Sequence, residues 1–180
     1  MRYKIFALIY FAILICFTSC SVTGITNDYK KLDTEQKSQI VPLQNFNNLN
    51  QNNIYTLNAS QLKVEILKHE KVLVYIFTNG CSSKMCKPLF VYENYAEANG
   101  YKLFLVMNGF ANLEKTLNQP RKTPLLAIDG DYYNTVFRGS YEKQFMNEIS
   151  GKPRFPKGEF IGDKFFFNNG KLEKILWELP

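Results

Sequence analysis

From Lys71 to Phe77 the chain reads KVLVYIF, an apolar run rich in β-branched and aromatic residues and too short for a helical pattern. It predicts a buried strand that stops at the Asn79-Gly80 turn. KLFLVMN, from Lys102 to Asn108, predicts a second such strand, and LFVYENYAEAN between the two predicts a helix ended by a left-handed cap at Gly100. Strand, helix and strand in this order predict a parallel βαβ unit. Upstream, Ile54 to Leu57 has a short strand pattern, and Asn58 or Ser60 can cap a helix that turns Leu62, Ile66 and Leu67 to one side.

Downstream, Leu113 and Leu117 mark a short helix broken by Pro120. A third apolar run, Leu125 to Ile128, comes after Thr123-Pro124. Proline cannot donate a ladder hydrogen bond, so Pro124 belongs at the start of that strand, with a cis bond as one way of making a tight turn there. Asp129-Gly130 predicts a hairpin with YYNTVFRG as its return strand, and SYEKQFMNEIS predicts a helix with Tyr141, Phe145 and Ile149 on one face. The tail, GEFIGDKFFFNNGKLEKILWEL, alternates around Asn169-Gly170 and predicts a two-stranded hairpin anchored by Trp177. Phe165, Phe166 and Phe167 are consecutive, so a strand through them buries both of its faces or exposes a ring.

The two ends of the chain change this picture. Arg2 and Lys4 precede an apolar run from Ile5 to Phe17, well short of the roughly 20 residues a membrane span requires, so residues 1–20 read as a secretory signal. The join FTSC, ending at Cys20, resembles the lipobox of bacterial lipoproteins, with Phe17 where that motif usually has leucine. The resemblance implies cleavage before Cys20 and attachment of acyl chains such as palmitate to it, giving a membrane-anchored protein of the cell envelope, facing the periplasm or the exterior. An ordinary signal peptide cut nearby would leave Cys20 as a free thiol. Residues 21–53 are polar and end in QNFNNLNQNN, a composition that predicts a flexible tether holding the domain off the membrane.

The formal charge of +6 falls to about +4 when Arg2 and Lys4 leave with the signal. With no Lys/Arg stripe interleaved with aromatics, nucleic acid is not an expected partner. Of the four cysteines, Cys16 leaves with the signal and Cys20 carries lipid, so Cys81 and Cys86 remain in the fold. An exported compartment favours a disulfide between them.

That pairing sets a geometric condition. A disulfide needs Cα atoms within about 7 Å, whereas five residues of continuous helix rise about 7.5 Å and turn the side chains apart. Pro88 meets the condition, because proline suits a helix start and leaves Gly80 to Lys87 as a loop able to close on itself. The helix start, with Lys84 and Lys87, would lower the thiol pKa values. By its place at the strand end Cys81 is the candidate attacking thiol and Cys86 the resolving one. The other reading of the same pair is a structural staple, in a protein whose fold serves as an interaction platform.

VLVYIFTNGC, with Thr123-Pro124 after an interval, resembles the thioredoxin fold, Thr123 and Pro124 standing in place of the cis-proline turn that faces the redox cysteines. The resemblance implies an α/β, thioredoxin-like domain over residues 54–150, a central mixed sheet flanked by helices, with residues 151–180 as an extra C-terminal hairpin. It implies a thiol–disulfide oxidoreductase acting on protein thiols or disulfides, with Thr123 and Pro124 binding the substrate backbone and no cofactor. The pattern's buried acid falls at Tyr75 and its tryptophan at Gly80, and four residues rather than two separate the cysteines. Thr78, three before Cys81, and the Cys-x4-Cys spacing are similar to those of peroxiredoxins, with Arg121 and Arg138 as candidate arginines. FTNGCSSKMCKP is similar to the motif of copper-delivery proteins, which need a downstream histidine. His69, the one histidine, lies upstream, so no metal is expected.

Overall fold

A computed structural model describes residues 23–83, 85–152 and 162–180. The signal and Cys20 therefore lie outside the described residues, as does Lys84. Among the described residues, seven strands form one mixed sheet: β1 (Ile40–Pro42), β2 (Ile54–Leu57), β3 (Lys71–Phe77), β4 (Lys102–Met107), β5 (Leu125–Ile128), β6 (Lys164–Asn168) and β7 (Lys171–Leu176). Their order is β1-β2-β5-β4-β3-β6-β7. The first five are mutually parallel where they pair, β6 runs antiparallel beside β3, and β7 runs antiparallel beside β6. Among the described residues, five α-helices accompany them: α1 (Thr34–Ser38), α2 (Ala59–Ile66), α3 (Leu89–Asn99), α4 (Leu113–Leu117) and α5 (Arg138–Ile149). The protein is thus α/β, with a mixed sheet flanked by helices.

Helices cover both faces. One core packs Leu62 and Ile66 of α2 and Tyr141, Phe145 and Ile149 of α5 against Val72, Val74 and Ile76. The other packs Leu89, Tyr92 and Ala96 of α3 and Leu113 of α4 against Leu73, Tyr75 and Phe77. This explains the unbroken apolar run of β3, which alternates between two dry faces. The phenylalanine triplet obeys the same rule, since Phe165 and Phe167 enter the first core and Phe166 the second.

Local chemistry accounts for several boundaries. Asn58 and Gln61 form a reciprocal capping box at the start of α2. Gly100 ends α3 with a φ of 71°. Asn169 and Gly170, with φ of 47° and 75°, make the two-residue turn between β6 and β7.

Four expectations need correction. The segment expected as a tether over 21–53 is folded where it is described: a 3-10 turn at Tyr29–Lys31, α1 and β1 occupy it, and Leu32 and Leu43 are buried. Its few apolar residues suffice because β2 offers an open edge to β1. The hairpin expected at Asp129-Gly130 is absent. Asp129 Oδ1 instead accepts the amides of Asp131 and Tyr132 in a side-chain-stabilised turn, and α5 begins at Arg138. A return strand would have had no edge to join, since β5 is paired on both sides, by β2 and β4. The hairpin at β6 and β7 is no appendage, because β6 lies directly against β3. The Thr123-Pro124 turn is the fourth, and it concerns the site.

Candidate functional site

β3 delivers Thr78, Asn79, Gly80 and Cys81 at its carboxyl end. Asn79 is buried, donating to the Gly109 carbonyl at 2.7 Å and accepting from Thr116 Oγ1 at 2.7 Å. These bonds fix the base of the turn to the loop after β4 and to α4. Gly80 then takes a φ of +63°, and a Cβ there would lie 2.8 Å from Asn112 Cβ. Only glycine fits that conformation against that neighbour.

Cys81 and Cys86 are joined in a disulfide with Cα atoms 6.1 Å apart. Cys81 is exposed and Cys86 half-buried. Pro88 occupies the N-cap of α3, as the spacing requires, so the bridge closes a loop ahead of the helix. The Leu89 amide donates to Gln119 Oε1 at 2.9 Å, tying the helix start to the loop after α4. Between these two walls lies a cleft of about 420 Å³ lined by both cysteines with Tyr75, Thr78, Phe90 and Gln119 among others.

A buried charge borders Tyr75, one of the residues lining the cleft. Lys164, at the start of β6, is 2% exposed; its ammonium donates to Asp163 Oδ1 at 2.6 Å and to the Trp177 carbonyl at 2.7 Å. The same nitrogen lies 4.6 Å from the Tyr75 ring centre and 5.3 Å from that of Tyr92. Tyr75 and Tyr92 stack at 4.0 Å, and the Lys87 amide donates to Tyr92 Oη at 3.4 Å. Burial, with the neighbouring Tyr92 hydroxyl, pushes the Tyr75 phenol well above its ordinary range. The position expected to lack an acid therefore borders a lysine–aspartate pair contributed by another strand. The sequence signal for it was a lysine at the head of an otherwise apolar run.

A second polar group flanks Thr78. Asn108 Nδ2 donates to Thr78 Oγ1 at 2.8 Å and to Glu142 Oε1 at 3.0 Å. Burial raises the Glu142 carboxyl pKa, opposed by the Asn108 hydrogen bond and by Arg138.

Thr123 and Pro124 are not part of this site. β5 runs parallel to β4 and β4 parallel to β3, so a residue preceding β5 lies toward the amino-terminal ends of the strands and one after β3 lies beyond their carboxyl ends. Thr123 and Pro124 line a separate hollow with Phe46, Leu49 and Glu65, and the described residues contain no cis peptide bond. The assignment failed because a turn facing Cys81 must open a strand antiparallel to β3, whereas the strand after Pro124 runs in the same direction as β4 and β3. Glu93 Oε1 instead holds this turn by accepting the amides of Lys122 and Thr123.

The other candidates are dispersed. Arg121 donates to the carbonyls of Leu117 and Gln51, and Arg138 lines a small cavity with Thr78 and Asn108. His69 pairs with Glu65 at 3.2 Å, ahead of β3. Among the described residues no group of three or more His, Cys, Asp or Glu is placed to hold a metal ion. No protein-family model, curated protein or solved structure matches the chain.

Proposed function

We propose that the chain is an envelope lipoprotein, anchored through acylated Cys20, whose thioredoxin-like domain is a thiol–disulfide oxidoreductase using Cys81 and Cys86. The observation that carries this reading is the Cys81–Cys86 disulfide, held at the carboxyl end of an internal strand with Cys81 exposed beside a cleft. The carboxyl end of such strands is where open α/β sheets place their chemistry. In support of a thioredoxin-like arrangement, β3, α3 and β4 form the expected unit, and β6 and β7 supply an antiparallel hairpin beside the cysteine strand. β5, the strand expected after Thr123-Pro124, lies parallel between β2 and β4.

In the reducing direction, the Cys81 thiolate attacks a protein disulfide and releases one substrate thiolate. The Cys86 thiolate then attacks Cys81 Sγ, releasing the second substrate sulfur and closing the Cys81–Cys86 bond. Two electrons and two protons pass to the substrate, and a donor thiol must reopen the pair; the oxidising direction is the reverse. The short loop argues for exchange over a staple. Closing about five residues removes only about 2 kcal/mol of chain entropy, against about 4.7 for a 100-residue loop.

The test is a reduction potential together with a Cys86→Ser trap. A potential above about −300 mV and a mixed disulfide on Cys81 support the proposal. A lower potential with nothing trapped would leave the bond a structural staple and the protein an interaction module.

A further inference from the structure

The cleft beside the disulfide is one-sided in charge. None of the residues lining it is an aspartate or a glutamate, and Lys87 is exposed at its margin. A second exposed lysine, Lys115 of α4, runs its side chain past Gly80, since a Cβ on that glycine would lie 2.9 Å from Lys115 Cδ. Among the described residues neither ammonium is in an ion pair. α3 adds to this, because Pro88 and Leu89 bring its amino-terminal end, the positive end of the helix dipole, to the same wall.

The carboxylates on the two flanking helices turn elsewhere. Glu114 stands about 200° around α4 from Thr116, which lines the cleft, and so faces away from it. Glu93 of α3 is engaged with the amides of Lys122 and Thr123 ahead of β5.

Inside the charged margin the walls are apolar. Phe90, at the second position of α3, is 42% exposed and lines the cleft, with Pro120 on the wall formed by the loop after α4. Thr78 Oγ1 accepts from Asn108 and keeps its own hydrogen to donate into the cleft. A volume of about 420 Å³ falls within the roughly 300–1,000 Å³ of ligand pockets.

We infer that the cleft receives an extended segment of a partner protein whose reacting cysteine is flanked by an apolar side chain, seated between Phe90 and Pro120, and by a carboxylate, held by Lys87 and Lys115. This rests on the thiol–disulfide exchange proposed above and names the class of protein that takes part in it. Charge complementarity decides the occupant: positive charge with no acid in the lining favours an acidic segment and disfavours a basic one. A second copy of this chain is disfavoured in the same way, because its own disulfide is bordered by lysines.

The test uses the full-length protein with the Cys81–Cys86 bond closed and four thiols: the acetylated, amidated tripeptides Glu-Phe-Cys, Lys-Phe-Cys and Glu-Ser-Cys, and glutathione. The added thiolate attacks Cys81 Sγ, forming a mixed disulfide and expelling the Cys86 thiolate, which iodoacetamide then caps; mass spectrometry follows the product. Each rate is divided by that of the same thiol with hydroxyethyl disulfide, which cancels differences in thiol pKa. Glu-Phe-Cys should exceed Lys-Phe-Cys by at least about fivefold at about 0.02 M salt, and the ratio should fall below about twofold at about 1 M, where exposed charges are screened. Lys87→Glu with Lys115→Glu should invert the preference, and Phe90→Ser should slow Glu-Phe-Cys to the rate of Glu-Ser-Cys. Equal rates for Glu-Phe-Cys and Lys-Phe-Cys, or a preference unchanged in the double lysine variant, would overturn the acidic partner and leave the exchange standing. Glutathione matching Glu-Phe-Cys would also overturn it, by assigning the cleft to a small anionic thiol. If no thiol opened the bond faster than it opens hydroxyethyl disulfide, and Cys86→Ser trapped nothing on Cys81, the exchange reading would fall and the partner with it.

Discussion

Lys164 and Tyr75 are directly opposite in the β3–β6 register, and the lysine ammonium lies 4.6 Å from the centre of the tyrosine ring that lines the cysteine cleft. A cation so placed is buried and is stabilised by the ring face and by Asp163.

Removing that cation isolates its partner. Lys164→Met should destabilise the fold by about 1–3 kcal/mol, since it leaves Asp163, whose side chain is 28% exposed, without its partner. Lys164→Met with Asp163→Asn should recover a substantial part. Denaturant midpoints of the two variants check this, and equal losses would show that the pair is not coupled.

Glu142 should give a pH-dependent effect of defined sign. Burial raises its carboxyl pKa above the ordinary 4.5. A carboxyl raised in the folded state is more readily ionised in the unfolded chain, so the fold loses stability as pH rises from the unfolded value through the folded one. Glu142→Gln keeps an acceptor for Asn108 and removes the ionisation. Its Tm should exceed wild type at about pH 7.5, and the gain should vanish as pH falls below 4.5. A gain that did not change with pH would sink this account.

Gly80→Ala should cost about 1–3 kcal/mol, through a positive φ imposed on a side chain that meets Asn112. Because Gly80 precedes Cys81, the rate at which a small thiol opens the disulfide should change as well. A chemical-denaturation curve and a thiol-reduction time course read the two effects separately.

The segment before β2 gives the plainest test of the fold. Leu43 is 5% exposed in the core beside Leu57 and Leu62. Leu43→Ala should destabilise the protein by about 2–5 kcal/mol. A free tether would show no change in Tm.

The features legible in the sequence are those that local chemistry decides. Asn58, the one of the two candidate caps that opens α2, Pro88 ahead of α3, Gly100 after it and the Asn169-Gly170 turn each act over a few residues, and each stands where its residue type requires. The cysteine pair was legible for the same reason, since its spacing and Pro88 constrain one loop. The features that escaped depend on neighbours distant in sequence. Ile40 to Pro42 forms a strand because β2 has a free edge, which the polar composition around it does not disclose. Asp129-Gly130 is a turn signal, yet the element after it depends on whether an edge remains for a return strand. Thr123 and Pro124 were placed at the cysteines by a strand direction that this turn does not itself encode. Lys164 reads as a surface residue until Asp163, Trp177 and two tyrosines are seen around it.

β3 is held along both edges, by β4 on one side and β6 on the other. A strand secured in that way cannot slide or peel when the bond beyond it is broken and remade. On the proposed reading, opening and closing of the Cys81–Cys86 link would therefore be confined to the few residues between Gly80 and Pro88. Under the exchange proposed for the two cysteines, the sheet would serve as an anvil beneath a short segment held at one end by the hydrogen bonds of Asn79 and at the other by Pro88 at the helix N-cap.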